Sequence, residues 1–427
     1  MLFRSGETRT CDLLVIGTGM AGMAAALFAA KRGIATIQVG LPGEINFASG
    51  LMDLMAVHPL GKSRPWNDPW ACIEALVRHV PAHPYGRIAP EEIRIALSEI
   101  TEFLAAFGLS YTGYGSRNVQ LLTPAGTVKT TYRVPLSMWK GVEAWGDKPA
   151  CLLVDFHGMK GFSARQMAEI QKPDWPGLRS ARISLPGFKG EAYPVTLARA
   201  LESPDTSSAL VEAVGPHLRG ESVVGFPALL GFEETSRLIA FLETELGARI
   251  FEIPTMPPSL GGLRLQRAFE KGLPTLGVQA LYQKQVLGVE RLGNGDFRFD
   301  IGGADPDTVV RTKGAVLATG RFFGKGLHAH RTGIRETVFD LPVRQPESRT
   351  EWHHSDFLSP EGHPVNRAGL ETDEWFRPLG EDGNPAYRNL FAAGSILAHQ
   401  DWMRMKCGSG LAVATAFKAV AGFLFGG

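Results

Sequence analysis

Residues 12–33 constrain the fold of this chain more than any other stretch. They run Asp-Leu-Leu-Val-Ile-Gly-Thr-Gly-Met-Ala-Gly-Met and continue into an alanine-rich segment. The apolar residues up to Ile16 predict a buried parallel strand, and the alanine-rich segment predicts a helix directly after it. Between the two, Gly17, Gly19 and Gly22 form a G-x-G-x-x-G motif. A strand, this motif and a helix in that order indicate a Rossmann-like α/β fold.

The three glycines and the start of the helix predict an anion site. The first glycine permits a tight turn, the second lets the backbone approach a phosphate, and the third lets helix and strand pack closely. Free N–H groups and the positive end of the helix dipole point to one place, where they stabilise an anion. An ordinary glycine-rich turn is the alternative. We predict that the phosphate of a nucleotide or a flavin binds at Gly17, Gly19, Met20, Ala21 and Gly22.

The second strand narrows the choice of ligand. Dinucleotide enzymes place an acidic residue about 20 residues after the motif, where it holds the ribose hydroxyls of adenosine. Residues 35–39 form the equivalent strand here, and Val39 stands where the carboxylate is expected. A valine side chain cannot accept a hydrogen bond from a ribose, and no Arg or Lys follows directly to hold a 2′-phosphate. The sequence therefore favours FMN over NAD, NADP and FAD, with FAD as the alternative.

Composition and charge disfavour several other classes of protein. The 427 residues include 44 Lys and Arg against 43 Asp and Glu, a balance that does not attract nucleic acid or anionic lipid. We expect no secretory signal, because the first residues lack an apolar segment, and the apolar residues near the end are short for a membrane span. None of the four cysteines forms C-x-x-C, so we expect no metal or iron–sulfur site in this chain. We expect a cytoplasmic protein with reduced thiols and no nucleic-acid partner.

The length of the chain and its hydrophobic pattern predict an inserted domain. We expect the first half of the flavin-binding domain over residues 1–59, the inserted domain over residues 60–270 and the second half over residues 271–427. Residues 58–90 predict loops and connections, and residues 174–222 show no strong period. The segments that hydrophobic spacing predicts as helices or strands are residues 91–107 (helix), 150–156 (strand), 234–246 (helix), 277–292 and 297–301 (strands) and 314–320 (strand).

Four further segments predict contacts with the cofactor. After the first βαβ unit comes a loop of small residues, and flavoproteins with this opening pass the equivalent loop under the flavin; a helix start with Ser49 as its N-cap is the alternative. Two later strands are expected to rejoin the same sheet, and each ends in a glycine-containing turn. The glycine-rich start of the last helix suits the negative charge that forms on a reduced flavin. The cofactor-binding residues predicted in these segments are Ser49, Gly50, Ala318, Thr319, Gly320, Gly394, Ser395, Gly408, Ser409 and Gly410.

With these residues identified, the chain resembles the B subunit of the anaerobic, quinone-linked glycerol-3-phosphate dehydrogenases over residues 12–421. The resemblance implies a Rossmann-like FAD/NAD(P)-binding fold of fumarate-reductase or glutathione-reductase type with a large inserted domain. The stretches that carry it are residues 48–54 (ASGLMDL), 82–85 (AHPY), 254–266 (PTMPPSLGGLRLQ), 320–323 (GRFF), 331–336 (RTGIRE), 372–374 (TDE) and 389–395 (NLFAAGS).

The resemblance implies a flavin-dependent subunit of a larger complex. In this family sn-glycerol 3-phosphate is oxidised to dihydroxyacetone phosphate, and electrons pass to menaquinone for fumarate or nitrate respiration. The implied partners are an FAD-containing catalytic subunit and an iron–sulfur membrane-anchor subunit, while FMN is assigned to the B subunit. The implied location is the inner face of the cytoplasmic membrane, where a partner subunit holds the chain as a peripheral protein.

Three arginines are candidates for contact with the flavin or with a bound anion. We predict this catalytic role for Arg264, Arg331 and Arg335, because a guanidinium binds phosphate or carboxylate bidentately. A structural ion pair is the alternative for each. Two other functions stay open: a self-sufficient soluble flavin oxidoreductase of fumarate-reductase type, and a structural subunit without a redox-active flavin.

Overall fold

The computed structural model describes residues 7–41, 44–61, 64–188 and 190–426, without the side chain of Glu44. These residues form two compact units, and each is described by itself. Unit 1 comprises the chain up to Ile45, Asp53–Phe103 and the chain from Phe269 onward. Unit 2 comprises Asn46–Met52 and Leu104–Ala268.

The secondary structure alternates strands and helices, as the first motif predicts. In the described residues the strands are β1 (Glu7–Ile16), β2 (Thr36–Gly40), β3 (Tyr111–Thr112), β4 (Val119–Leu122), β5 (Val128–Thr131), β6 (Val134–Pro135), β7 (Cys151–Phe156), β8 (Leu178–Ile183), β9 (Val223–Pro227), β10 (Arg249–Ile253), β11 (Gln279–Tyr282), β12 (Gln285–Arg291), β13 (Phe297–Gly302), β14 (Pro306–Leu317), β15 (Leu327–Ala329), β16 (Ile334–Glu336) and β17 (Leu390–Ala392). The helices in the same residues are α1 (Met20–Lys31), α2 (Pro69–His79), α3 (Pro90–Ala106), α4 (Leu136–Asp147), α5 (Ala164–Gln171), α6 (Pro194–Ala200), α7 (Pro204–Val214), α8 (Thr235–Leu246), α9 (Leu260–Thr275), α10 (Trp402–Met405) and α11 (Gly408–Phe425).

A mixed sheet with the strand order β11-β2-β1-β14-β13-β12 forms the centre of unit 1, and β17 pairs with β14. The pairs of β2 with β11, of β1 with β2, of β14 with β1 and of β17 with β14 are all parallel. Ile16 is in register with Val39 on one side and with Leu317 on the other, so the carboxyl ends of three strands meet at one edge. In open α/β sheets, ligands bind at this edge.

Two apolar helices cover this sheet in unit 1. Helices α1 and α11 pack against each other, with Phe28 and Phe417 edge to face at a centroid distance of 5.2 Å. By length and composition alone, α11 is apolar enough to cross a membrane. More than half of it is buried inside the protein, and its Lys418 pairs with Glu92 at 2.7 Å. These contacts are those of a core helix.

The insertion begins later in the chain than the sequence predicts. Residues 60–103 fall in unit 1 instead of the inserted region, because their polar groups bind its elements. Arg32 of α1 makes two hydrogen bonds to the Glu99 carboxylate of α3, at 2.9 and 3.2 Å. The Tyr85 hydroxyl donates to the Leu54 carbonyl at 2.8 Å. At its other end the insertion stops at Ala268, close to the predicted residue 270.

Among the described residues, hydrophobic spacing did not predict the helices α2, α4, α5, α6, α7, α9 and α10. Three of these, α2, α6 and α7, lie in segments predicted as loops or as lacking a strong period. Helix α2 begins where the Asp68 carboxylate accepts hydrogen bonds from the Trp70 and Ala71 N–H groups. Helices α6 and α7 each begin with a proline at the first helical position, Pro194 and Pro204. Proline is favoured at that position because its fixed φ suits a helix and its missing N–H is not needed there. These prolines, like the Asp-Pro pair that opens α2, are the signal that could have identified the helices.

Unit 2 contains a second parallel sheet, with the strand order β10-β9-β7-β8. Its two central strands, Cys151–Phe156 and Val223–Pro227, are buried throughout, as is typical of parallel sheets. The one acid of β7, Asp155, accepts a hydrogen bond from the Ala164 N–H at the start of α5 and pairs with Arg182 at 2.7 Å. A buried carboxylate is stable there because both of its oxygens are satisfied.

Buried His83 is expected to make unit 1 sensitive to acid. Burial lowers the pKa of His83 to about 3, and its Nδ1 accepts a hydrogen bond from the Tyr85 N–H at 3.2 Å. Between pH 6.5 and 3 the unfolded chain binds a proton at this histidine that the folded chain excludes. Stability conferred by the neutral imidazole is therefore present above pH 6.5 and is lost as the pH falls, by up to about 1.4 kcal/mol per pH unit.

Chemical unfolding at pH 7 and pH 5 tests this expectation. The free energy of unfolding of the unchanged chain should fall by roughly 2 kcal/mol more between these pH values than that of His83→Gln. His157→Gln, which replaces an exposed histidine, serves as the control. Its free energy of unfolding should fall between pH 7 and pH 5 by as much as that of the unchanged chain. Equal losses in the unchanged chain and in His83→Gln would show that His83 does not cause the acid sensitivity.

Candidate functional site

The glycine motif forms the tight turn between β1 and α1. Gly17 has a φ of +133°, and a Cβ atom there would lie 2.1 Å from the Ala318 carbonyl oxygen at the end of β14. The Gly17 N–H donates to the Val39 carbonyl at 2.7 Å, and the buried Gln38 amide donates to the Gly17 carbonyl at 2.9 Å. A Cβ atom at Gly22 would lie 2.1 Å from that same Gly17 oxygen. Only glycine fits at these two positions.

The N-terminus of α1 is open to an anion. Gly19 precedes the helix in an extended conformation, and no side chain accepts a capping hydrogen bond at that end. The first turn carries no acidic residue. The first N–H groups of the helix thus have no side-chain cap, and the helix dipole adds partial positive charge at the same point. Gly19, Met20, Ala21 and Gly22, which the sequence predicts at the phosphate, all lie at this end of the helix.

The end of β2 packs closely on the glycine loop. Val39 is fully buried, so its side chain faces the protein interior and not a ligand. The Thr18 hydroxyl donates to the Leu41 carbonyl at 2.8 Å. A Cβ atom at Gly40 would lie 2.8 Å from Thr18 Cγ2. The position at which dinucleotide enzymes hold a ribose therefore carries a buried valine and a glycine covered by Thr18.

Two strand ends that are distant in sequence meet the start of α1. The Ala318 N–H donates to the Ile16 carbonyl at 2.9 Å, which fixes the end of β14 beside β1. Gly394 follows β17 with a φ of +79°, and a Cβ atom there would lie 2.6 Å from the Ala21 Cβ. Its N–H donates to the buried Thr415 hydroxyl of α11 at 2.9 Å. The structure thus brings Gly17, Ala21, Ala318 and Gly394 together.

The turn after β14 holds a buried polar atom without a partner. The Thr319 hydroxyl oxygen is buried and makes no hydrogen bond within the part of the chain that the structure describes. Gly320 has a φ of +69°, and a Cβ atom at Gly326 would lie 2.2 Å from the Gly320 oxygen. A buried hydroxyl without a partner is costly in a folded protein, so it indicates a group that would bind there. The turn fits a polar ligand at the sheet edge.

Arg321, which our sequence reasoning did not single out, lies next in the chain. Its guanidinium donates to the backbone carbonyls of Ser395 at 2.7 Å, Gln400 at 2.8 Å and Asn366. Burial lowers the pKa of Arg321 to about 10. The predicted Ser395 therefore supplies its carbonyl to Arg321. The GRFF stretch at residues 320–323 was the available signal.

The start of α11 is partly occupied by the protein itself. The Ser409 hydroxyl accepts a hydrogen bond from the Asp53 N–H at 2.7 Å, and the Gly410 N–H donates to the Asp53 carbonyl at 2.7 Å. A Cβ atom at Gly410 would lie 2.8 Å from that carbonyl oxygen. Ser409 and Gly410 thus fix the backbone of residue 53, and Gly408 is the first residue of the helix. The sequence predicts all three as cofactor-binding residues.

Ser49 and Gly50 belong to unit 2, where they pack on the start of α9. The Ser49 hydroxyl accepts a hydrogen bond from the Leu51 N–H at 3.3 Å. Gly50 has a φ of +79°, and a Cβ atom there would lie 3.0 Å from the Gly261 Cα. The Gly50 carbonyl accepts from the Tyr111 hydroxyl at 2.7 Å. Gly50 is therefore required by close backbone packing within unit 2.

The three predicted catalytic arginines are divided between the two units. Arg264 is only 6% exposed and makes two hydrogen bonds to Glu252, at 2.6 and 2.9 Å, in unit 2. It also donates to the Gly231 carbonyl at 3.1 Å, so its donors serve an internal ion pair instead of a ligand. Arg331 and Arg335 lie exposed on the β15–β16 hairpin of unit 1. Within the described residues neither forms an ion pair.

Comparison with known proteins identifies the family. A family model described as FAD binding domain matches residues 12–411. The B subunit of the anaerobic glycerol-3-phosphate dehydrogenase of Vibrio vulnificus (strain YJ016) is 29% identical over 421 residues, which cover 96% of this chain and 95% of that protein. The probable B subunit of the same enzyme in Halobacterium salinarum (strain ATCC 29341 / DSM 671 / R1) is 31% identical over 426 residues, 96% of each chain. The chain belongs to the B-subunit family of the anaerobic glycerol-3-phosphate dehydrogenases.

Membership of the B-subunit family confirms the family and the fold class predicted from the sequence. Unit 1 contains the parallel strands of that Rossmann-like fold, and unit 2 is the large insertion. The prediction of a flavin-dependent oxidoreductase subunit is confirmed too, since the FAD binding domain spans almost the whole chain. The relatives are named as one subunit of a larger enzyme.

Proposed function

We propose that this chain is the flavin-carrying B subunit of an anaerobic glycerol-3-phosphate dehydrogenase. In this role it takes part in the oxidation of sn-glycerol 3-phosphate to dihydroxyacetone phosphate, and electrons pass on to menaquinone. The observation that carries the proposal is the convergence of Gly17, Ala318 and Gly394 on the uncapped N-terminus of α1. Family membership supports the reaction, and this convergence supports a flavin phosphate at the sheet edge.

The residues at the sheet edge have separate tasks toward a flavin. The N–H groups at the start of α1 would hold its phosphate, because a helix N-terminus stabilises an anion. The Thr319 hydroxyl, which has no partner among the described residues, would donate to or accept from the cofactor. Asp53, fixed by Ser409 and Gly410, would line the site near the start of α11. When bound, a flavin accepts a pair of electrons and can release them singly, while the protein orients and tunes it.

We propose FMN as the flavin, with FAD as the alternative that the family description favours. Val39 is buried and cannot accept a hydrogen bond, and Thr18 covers Gly40 beside it. A ribose of an adenosine half would therefore meet no carboxylate at the end of β2. FMN needs no such carboxylate, because it ends at its single phosphate.

We propose that the chain acts within a complex. An FAD-containing catalytic partner would carry most of the substrate chemistry, and an iron–sulfur membrane-anchor partner would attach the assembly to the inner face of the cytoplasmic membrane. In the part of the chain that the structure describes, no group of three or more metal-binding side chains comes together.

Identification of the cofactor in the native complex tests the proposed function. The tagged chain is purified with its partners, the flavins are released by denaturation, and their masses and amounts are measured for each polypeptide. We expect one FMN on this chain, together with menaquinone reduction that depends on sn-glycerol 3-phosphate and is nearly absent for the chain alone. FAD found on this polypeptide itself, and not only on its partner, would overturn the choice of FMN and leave the rest of the proposal intact. A complex without flavin on this chain would indicate a structural role, and full turnover by the isolated chain would indicate a self-sufficient oxidoreductase.

A further inference from the structure

A cavity of about 760 Å³ lies within unit 1, and its wall combines apolar residues with charged and histidine side chains that are separate from the glycine motif. Its volume lies in the range of small-molecule sites, which is about 300–1,000 Å³. Four histidines and two arginines contribute to its wall, an unusual concentration for a chain with eleven histidines. These six side chains are His58, Arg344, His354, His363, Arg367 and His399.

The charge of the cavity wall favours an anion. Arg367 is exposed to the cavity and, among the described residues, forms no ion pair. Arg344 and His399 share one carboxylate, that of Glu371, at 3.3 and 2.8 Å. Glu361 is the one acid in the lining. The guanidinium of Arg367 therefore has no counter-ion in the described part of the chain and is available for a phosphate or carboxylate.

Two of the cavity histidines, His58 and His399, are the candidate partners for hydroxyl groups, because both ring nitrogens of His363 already bond within the protein. Burial lowers the pKa of His399, although Glu371 opposes the shift. Burial likewise lowers the pKa of His58, whose Nε2 lies 2.9 Å from His79 Nδ1. Neutral imidazoles can donate to and accept from hydroxyl groups. The cavity thus combines a site for an anion with partners for alcohol groups.

Two residues of the cavity wall lie in the sequence between two groups of predicted flavin-binding residues. His399 and Met405 belong to the segment that leads from Gly394, after β17, to Gly408, at the start of α11. The His399 N–H donates to the Arg367 carbonyl at 3.0 Å, so this segment fixes the backbone of the cavity arginine. A ligand in the cavity would therefore contact the segment that connects two groups of predicted flavin residues.

We propose that this cavity binds a phosphate monoester of a small polyol, with Arg367 and Arg344 at the phosphate and His58 and His399 at the hydroxyl groups. The choice of this ligand class, and of sn-glycerol 3-phosphate as its member, rests on the proposed function. Arginine suits the phosphate because its planar fork of N–H donors matches two phosphate oxygens. Substrate thus contacts this chain itself and not only its partners.

Calorimetric titration of the full-length chain tests the site. The probes are sn-glycerol 3-phosphate, dihydroxyacetone phosphate, inorganic phosphate, glycerol and succinate, each at pH 7. We expect both phosphate esters to bind and glycerol not to bind. Arg367→Gln should weaken the binding of sn-glycerol 3-phosphate about 10- to 100-fold, since a hydrogen bond to a charged group contributes about 1.5–3 kcal/mol. Arg388→Gln, at an exposed arginine outside the cavity, should leave binding unchanged.

Other outcomes separate this inference from the proposed function. Unchanged binding in Arg367→Gln, or binding of succinate as tight as that of the phosphate esters, would overturn the assigned site or ligand class. Absence of binding to a chain that carries its flavin and reduces quinone within the complex would overturn the inference and leave the proposed function intact. Flavin content is measured in every variant, and Arg367→Gln should retain it in full.

Discussion

Replacing Gly17 with alanine is expected to abolish flavin binding and to destabilise unit 1. The new Cβ atom would lie 2.1 Å from the Ala318 carbonyl oxygen and 2.6 Å from its carbonyl carbon, and both belong to rigid backbone. Alanine is also strained at a φ of +133°. The new side chain would push β1 away from the end of β14. Together with the backbone strain, this should lower the free energy of unfolding by about 3 kcal/mol or more. Flavin content should fall at least about tenfold, because the phosphate loop loses its shape.

A second glycine of the same βαβ unit provides the matched control. Gly33 has a φ of +72°, but a Cβ atom there would meet nothing within 4 Å. Gly33→Ala should therefore show only the conformational strain, about 1–2 kcal/mol, and should keep its flavin. Unfolding midpoints and flavin absorbance per chain are measured for both variants. Normal flavin content in a folded Gly17→Ala chain would refute the phosphate site at this motif.

Replacing Arg264 with methionine is expected to destabilise unit 2 without altering the flavin. The substitution leaves the Glu252 carboxylate buried with no counter-ion, and the Gly231 carbonyl loses its donor. Removing one partner of a buried ion pair typically costs about 3–5 kcal/mol. The double variant Arg264→Met with Glu252→Gln should recover most of this loss, because the charge is gone while the glutamine oxygen can still accept from the Leu230 N–H.

An exposed arginine of the same helix, Arg267 of α9, provides the comparison with Arg264. Arg267 pairs with Glu233 at 3.0 Å, and their side chains are 46% and 35% exposed. Arg267→Met should change the free energy of unfolding by less than about 1 kcal/mol. Urea unfolding gives the stabilities, and the flavin spectrum and quinone reduction report on the site. A folded Arg264→Met chain of normal stability that has lost quinone reduction would restore the catalytic role predicted from the sequence.

The sequence was sufficient for features that depend on neighbouring residues. The strand, the glycine motif and α1 were predicted from consecutive residues, and the helices at 91–107 and 234–246 from regular apolar spacing. The short helices α6 and α7 were missed because their apolar residues are too few to show a period. The late start of the insertion was also missed, because it depends on distant pairs such as Arg32 with Glu99.

The surroundings of the arginine side chains could not be predicted from the sequence. Arg264, Arg331 and Arg367 are the same residue type, and no local pattern separates a buried ion pair from an exposed hairpin or a cavity wall. Packing of β10 against α9 gives Arg264 the Glu252 carboxylate, while Arg367 has no counter-ion among the described residues.

The sequence by itself determined the parallel sheet, the turn that could hold a phosphate and the family. These follow from backbone conformation and hydrophobic spacing, which act over a few residues. Only the tertiary structure decided which charges are satisfied and where a cavity forms. The cavity wall draws on segments near residues 58, 344, 363 and 399, and side chains so distant in sequence become neighbours only when the elements pack.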